Sequence, residues 1–461
     1  MIFKAHCDTV IAASMKVYSF PRGGISLEDA TVPRGNSSAV AFLPALSLIP
    51  LIQHPGGRLL PLVSAGDLVR EGMLVGRGLE GRSANAHATV PGRVVRHTGW
   101  EDGEGRYCEG LLIRMEGSFD MLGADDGDML PEYRPSPMSC HELLEVLEDC
   151  GVVEMEGAGL PLARMLSDFR RADGPRTLVV RCVFDDPWLV ADKVLCAERL
   201  EAVVEGAFLL AEACGGVGSV LFAVSRGEKA LGEKMLAEAA KRELPSALIV
   251  TGGKYPQRNR REMELVLRDY EKREKTDLGA ILALGPSTLA AACDAVKHRR
   301  PILERYVAVG GSAVRKPQIM RVRIGKKIGD LFEECGGFVA EPSRIVAGSP
   351  FFGERVKYLD EPVTRTSYAL VAMLKSQVGG YPTCGCISCG ECRKVCPVGL
   401  DPEEMYKVIK VSEESRVDGD DATEHPGFRE CRGCGCCEVV CPSRLPLPEV
   451  IRGKAPGCQH D

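Results

Sequence analysis

The alternation of apolar and polar residues changes character several times along the chain. Between residues 50 and 115, short apolar runs are broken by turn-forming clusters: His54-Pro-Gly-Gly, Ala65-Gly-Asp-Leu-Val-Arg-Glu-Gly, Val75-Gly-Arg-Gly and His87-Ala-Thr-Val-Pro-Gly-Arg-Val-Val. Glycines at this spacing supply tight turns between strands, which predicts a small all-β sandwich. From about residue 120 to 300, β-branched runs such as Thr177-Leu-Val-Val and Ala247-Leu-Ile-Val alternate with helical patterns over Lys193 to Ala213 and Glu228 to Lys241. That alternation predicts an α/β domain with a largely parallel sheet. Residues 303 to 360 give strand, strand, short helix and strand, the order of a β-grasp module, and a helical hinge is expected over Pro362 to Val378.

Beyond the hinge the pattern is set by cysteine. Cys386, Cys389, Cys392 and Cys396 form one run, and Cys431, Cys434, Cys437 and Cys441 form another; each reads C-x-x-C-x-x-C-x-x-x-C and is closed by Pro397 or Pro442. This is the spacing of a two-cluster ferredoxin, in which the fourth cysteine of each run reaches the other cluster. It assigns one [4Fe–4S] cluster to Cys386, Cys389, Cys392 and Cys441, and a second to Cys431, Cys434, Cys437 and Cys396. Structural zinc would instead call for paired C-x-x-C elements, whereas each run places three thiols at tight spacing. Cys384 and Cys436 are off register and read as spare thiols.

Composition narrows the setting. A chain of 461 residues with 45% hydrophobic content has ample material for several cores, at roughly 100–200 residues per domain. The boundaries expected are 1–120, 121–300, 301–362 and 363–461. Of the 20 cysteines, nine are scattered before residue 350 and most others are grouped like metal ligands, a usage that fits a reducing cytosolic compartment. Neither a signal peptide nor an apolar stretch of about 18 residues is present, so no membrane span is expected. A formal net charge of −6 without a basic face excludes nucleic acid as a partner.

Three loops of the α/β region are candidates for chemistry. Gly157, Ala158 and Gly159, within Gly151-Val-Val-Glu-Met-Glu-Gly-Ala-Gly-Leu-Pro, would let backbone N–H groups approach a phosphate. Asp185 and Asp186, in Phe184-Asp-Asp-Pro-Trp, would accept from sugar or ribityl hydroxyls, or simply cap a turn. The run Lys254, Arg258, Arg260 and Arg261, with Lys241 before its strand, meets a dinucleotide or, as short charge runs generally do, forms a solvated face. His54 and His87 read as turn and core residues, since no further ligands accompany them.

The order of elements, together with His54-Pro-Gly-Gly, Asp185-Asp-Pro-Trp-Leu-Val-Ala-Asp, Lys254-Tyr-Pro-Gln, Ala347-Gly-Ser-Pro-Phe-Phe-Gly, Pro362-Val-Thr-Arg and both cysteine runs, resembles the RnfC family, a component of the Rnf electron transport complex. That family is itself similar to the flavin subunit of respiratory complex I. The resemblance covers almost the whole chain. It implies a multidomain α/β plus β fold: a lipoyl-like β-sandwich, an α/β domain like the complex I flavin subunit, a β-grasp module and a double [4Fe–4S] ferredoxin module. It further implies oxidation of NADH by FMN seated against Gly157, Ala158 and Gly159, with ferredoxin or NADH as redox partner. The other subunits of an ion-translocating membrane complex would be its neighbours, at the cytoplasmic face of a bacterial inner membrane and attached peripherally. The hairpin Gly81-Arg-Ser-Ala-Asn-Ala-His has no lysine, which excludes a swinging arm and leaves a docking or packing role.

The residues depart from the family's pattern at the flavin loops. Glu156 stands where the family has glycine, placing a carboxylate against an FMN phosphate, where like charges are unfavourable; Arg164 is the cation nearby in sequence. Tyr255-Pro-Gln is followed by Arg-Asn-Arg-Arg instead of two glycines. Three readings remain open: a redox subunit with FMN, NADH and clusters; an iron–sulfur relay or docking subunit that has lost FMN and NADH binding; and a scaffold with structural clusters.

Overall fold

The computed structural model describes residues 16–52, 57–79, 83–103, 105–119, 138–242, 244–351, 353–378, 384–415 and 426–452; His54 lies outside them. The β-sandwich consists of a four-stranded antiparallel sheet, Leu46–Pro50, Tyr107–Met115, Gly92–Glu101 and Leu68–Val69 in spatial order, facing a three-stranded sheet of Leu59–Pro61, Leu74–Gly78 and Ala86–His87. Its core is Ile49, Leu59, Val75, Val90, Val94, Leu111 and Ile113, the inward residues of alternating strands. His87 is buried within it and burial lowers its pKa to about 3, a neutral core histidine.

The α/β domain is built on four parallel strands in the order Ser246–Thr251, Val217–Ser225, Arg176–Cys182 and Ala280–Leu284. The first strand in sequence, Arg176–Cys182, has later strands on both sides, so the chain reverses direction across the sheet between it and Ala280–Leu284. Crevices open at the carboxyl ends of strands at such a point. Helices cover the sheet: Val190–Glu198 and Leu200–Cys214, which break at Arg199, together with Lys229–Ala239, Arg260–Glu274 and Pro286–His298.

The third module is a six-stranded mixed sheet in the order Ala39–Val40, Gln318–Arg323, Glu304–Gly310, Ala369–Met373, Arg344–Ala347 and Glu354–Arg355, packed on the helix Ile328–Glu334. The expected helical hinge is corrected here. Ala369–Met373 is a strand with all five residues buried, paired on both sides, and only Lys375–Val378 is helical. Here the run's backbone is satisfied by strands on both sides, and sequence periodicity cannot separate such a fully apolar strand from a buried helix.

The modules are joined through polar groups buried at their contacts. Arg323 pairs with Glu71 of the sandwich at 2.8 Å, and the Thr89 hydroxyl donates to the Ile324 carbonyl at 2.7 Å. Arg365, whose pKa burial holds down to about 10, donates to the Gly151 carbonyl at 2.9 Å and to the Asn85 carbonyl. Gly151 has φ +65°, and a Cβ there would collide with Asn85. The lysine-free hairpin is thus held at Asn85 against the start of the glycine loop.

Candidate cluster and cofactor sites

The two cysteine runs fold into one module around Cys392, Met405, Ile409, Phe428, Leu445, Leu447 and Ile451. Gly390 and Gly435, at φ +72° and +79°, open the short helices Glu391–Val395 and Cys436–Val439. A left-handed residue there costs glycine little and turns the third cysteine of each run back toward the first two. One cavity is lined by Cys386, Cys389, Cys392 and Cys441 with Gly390, Tyr406 and Leu445. On the other side, burial and then the sulfurs of Cys434, Cys431 and Cys396 push the Cys437 thiol up. Three thiols of the first run therefore line one cavity with the fourth thiol of the second. Among the described residues no three Cys, His, Asp or Glu side chains converge tightly enough for a single metal ion. Cys436 is fully buried and donates toward Cys434, lowering that thiol's pKa, whereas Cys384 is exposed. The Leu400 N–H points at the Cys396 sulfur at 3.3 Å, and the Ser443 hydroxyl donates to the Gly385 carbonyl at 2.9 Å, tying the runs together.

Tyr255, which the sequence offered only as part of a loop, reaches this module from the α/β domain. It is buried and donates its O–H to the Cys434 carbonyl at 2.8 Å, with Phe351 tilted beside it at 6.2 Å between ring centroids. Its backbone exchanges two hydrogen bonds with Ile25. The adjoining Gly24 N–H donates to the Val395 carbonyl at 2.9 Å, and Gly23 lies so close to the Cys396 backbone that a Cβ has no room.

The three candidate loops gather at the carboxyl ends of the parallel strands. Asp186 caps a 3-10 turn, accepting from the Trp188 N–H at 3.0 Å, which is the turn-capping alternative. Asp185 accepts the Arg258 N–H at 3.0 Å; its other oxygen, and the side-chain oxygen of Gln257, are buried without a hydrogen-bond partner among the described residues. Burial pushes Asp185 up to about 6. The solvated-face reading of the basic run is corrected for two members. Lys254 turns inward onto the Gly23 carbonyl and the Phe20 ring, and the Arg258 guanidinium lies 5.2 Å from the centroid of the Tyr368 ring, because apolar stems and aromatic faces bury a basic side chain that sequence shows only as charge. Arg260 and Arg261 are exposed.

Glu156 is buried and does not reach toward Arg164, which is exposed. Its carboxylate accepts the Thr288 backbone N–H at 3.0 Å and the Thr288 hydroxyl, lying over Gly285 at the N-terminus of the helix Pro286–His298. Burial raises its pKa, and the Asp192 carboxylate adds to that. Arg305 holds Asp192 at 3.2 Å and donates to the Met155 carbonyl, and Arg181 stands 3.6 Å from Glu154. The signal that would have found this contact is Gly285-Pro-Ser-Thr, a proline-started helix whose first N–H groups need an acceptor.

A dicluster cysteine module joined to a parallel α/β domain and a β-sandwich defines a class of modular electron-transfer proteins. Comparisons specify the family. Residues 147–278 match the model of the Nuo51 FMN-binding domain, residues 20–117 the RnfC barrel sandwich hybrid domain, residues 306–358 the NQRA C-terminal domain and residues 384–445 the 4Fe-4S dicluster domain. The C-subunit of the ion-translocating oxidoreductase complex of Rhodobacter capsulatus is 30% identical over 368 residues, covering 79% of this chain and 69% of its own. The C-subunit of the proton-translocating ferredoxin:NAD(+) oxidoreductase complex of Clostridium ljungdahlii is 27% identical, with 83% of each chain covered. The corresponding subunit of the Na(+)-translocating complex of Acetobacterium woodii is 25% identical, covering 78% of this chain and 80% of its own. An NAD+-reducing [NiFe]-hydrogenase structure aligns with a TM-score of 0.49 at 14% identity, over 66% of this chain and 60% of that one. The chain belongs to the RnfC family of ion-translocating oxidoreductase subunits.

The cofactors this membership implies can be tested against the residues. The thiols fit two clusters: they lie in two groups of four, with glycine beside them and hydrogen-bond donors behind them. The FMN phosphate does not fit. Its donors would be the glycine loop and a helix N-terminus, and the N-terminus at Thr288 is already satisfied by the chain's own carboxylate.

Proposed function

We propose that this protein is the RnfC-type electron-transfer subunit of a membrane-bound, ion-translocating complex. It relays electrons between a partner subunit and ferredoxin-type carriers through two [4Fe–4S] clusters. The ligands are Cys386, Cys389, Cys392 and Cys441 for one, and Cys431, Cys434, Cys437 and Cys396 for the other. The observation that carries this reading is the cavity lined by three thiols of the first run and Cys441 of the second.

When bound, each cluster takes up and gives back single electrons. The chain's own residues hold it by thiolate, direct N–H groups such as that of Leu400 at sulfur, and exclude water with Tyr406, Leu445 and Leu447, all of which bear on its potential. The relatives' names include ferredoxin and NAD(+) as substrates. In this chain the glycine loop carries Glu156 instead of a free phosphate seat, so we assign the α/β domain to positioning the clusters and the donor's oxidation to a partner. Asp185, Asp186, Gly157, Ala158 and Gly159 are then residues of a crevice whose FMN and NADH role has lapsed.

No described helix is long and apolar enough to cross a membrane, and we place the protein peripherally at the cytoplasmic face, held by the other subunits. The functional parts are the sandwich to about 120, the α/β domain to about 300, the third module through the strand Ala369–Met373, and the cluster module from there on. The test is anaerobic purification with absorption and EPR spectroscopy. Iron–sulfur absorption with two reducible EPR signals and no flavin band is expected; a stoichiometric flavin band would overturn the relay reading, and zinc in place of iron would overturn both.

A further inference from the structure

The two cluster sites differ in exposure. At the first run, Cys386 and Cys389 are exposed, and Ile387 between them is 65% exposed. On the adjoining helix, Lys407 donates to the Ser388 hydroxyl at 3.1 Å, and Val411, one turn further along, is exposed. At the second run Cys431, Cys434 and Cys437 are half-buried and their partner Cys396 is buried. Cys396 is covered by Gly23, whose neighbour Gly24 is bonded to Val395. Cys434 is held from behind by the buried Tyr255 hydroxyl, and Gly435 lies against Phe351.

We propose that the two clusters have separate tasks. The one on Cys386, Cys389 and Cys392 is the exchange centre, where a one-electron carrier protein meets the chain. The one on Cys431, Cys434 and Cys437 is the inner centre, less exposed, whose potential is set by Tyr255 acting as a positioning residue. Electron tunnelling falls steeply with distance, so a carrier protein at the surface exchanges with the centre whose thiols it can touch. Tyr255 acts through the peptide of Cys434: its O–H draws electron density from that carbonyl, which favours the reduced, more negative cluster. With both clusters bound, Cys386 and Cys389 would hold the centre that gives one electron to the carrier, and Cys434 and Cys437 the centre that replaces it.

This proposal rests on both runs holding clusters, which iron content checks separately. The experiment uses the full chain, reduced with dithionite, freed of excess reductant and mixed with ferric cytochrome c, whose haem iron takes one electron. Cys389→Ser and Cys434→Ser each remove one cluster whatever the origin of its fourth ligand, and about half the iron should remain in each. Cytochrome c reduction should slow at least tenfold in Cys389→Ser and by a clearly smaller factor in Cys434→Ser; equal or reversed effects overturn the proposal. Should either variant fail to fold, a dysprosium chelate added to the wild type decides. It should relax one EPR signal strongly and leave the other nearly unchanged, and equal relaxation of both refutes the asymmetry. Tyr255→Phe should lower the midpoint potential of the shielded signal alone in an EPR-monitored titration; a shift in the chelate-sensitive signal, or in neither, removes Tyr255 from this role.

Discussion

Glu156 accepts the Thr288 backbone N–H at 3.0 Å and so stands at the N-terminus of the helix Pro286–His298. A carboxylate there is stabilised by the helix dipole and by unpaired N–H groups, as a phosphate would be. The residue that sequence suggested would repel a phosphate thus occupies a helix N-terminus itself.

Glu156→Gly should therefore open the seat. Two charges a few ångström apart cost on the order of a few kcal/mol at an effective dielectric near 20, and about 1.4 kcal/mol is already a tenfold change in affinity. The expected result is FMN binding at least tenfold tighter in the variant, read from quenching of flavin fluorescence. Tight binding to the wild type, unaltered by the substitution, would refute the substitution of carboxylate for phosphate.

Asp185 should make stability depend on pH. Its folded pKa of about 6 lies above the ordinary aspartate value of 3.8, so folding takes up a proton between these values. The penalty is absent below about pH 4, grows as pH rises to 6 and is constant above that. Asp185→Asn keeps an acceptor for the Arg258 N–H and removes the charge. Above pH 6.5 it should be more stable than wild type by on the order of 2 kcal/mol, and the gap should close near pH 4 in denaturant titrations. A gap that does not depend on pH would mean that Asp185 is not held protonated.

The cluster assignment predicts close to eight iron atoms per chain, four on each set of four thiolates. Cys441→Ser should disturb the same EPR signal as Cys389→Ser. Loss of the signal that Cys434→Ser removes would instead return Cys441 to its own run.

Removing Arg365 should destabilise the whole chain. Arg365→Met retains much of the apolar stem but leaves the Gly151 and Asn85 carbonyls without this donor. At about 1–3 kcal/mol for each unsatisfied buried group, a loss of roughly 2–4 kcal/mol is expected in chemical denaturation. A loss below about 0.5 kcal/mol, the range of ordinary surface changes, would show that the hairpin is held by other contacts.

The cysteine module was legible because ligand spacing is local: three thiols within seven residues fix their own geometry. The parallel sheet was legible for a similar reason, since Thr177-Leu-Val-Val and Ala247-Leu-Ile-Val declare buried strands within a few residues. What escaped was set by partners far away in sequence. Glu156 meets Thr288 across 132 residues and Tyr255 meets Cys434 across 179, and nothing near either residue announces the other. Arg258 looked solvated because its neighbours Arg260 and Arg261 are, while the ring of Tyr368 that takes it in lies at the far end of the next module, just before the strand Ala369–Met373. The strand Ala369–Met373 escaped because an apolar run of five carries no period.

The hairpin pinned by Arg365 also has a mechanical meaning. In a carrier domain such a hairpin is free and transports cargo; here one guanidinium fastens its Asn85 side and Gly151, the first residue of the loop that leads to Glu156. Arg365 is thus a clasp: the sandwich cannot swing without pulling on the loop beside the crevice.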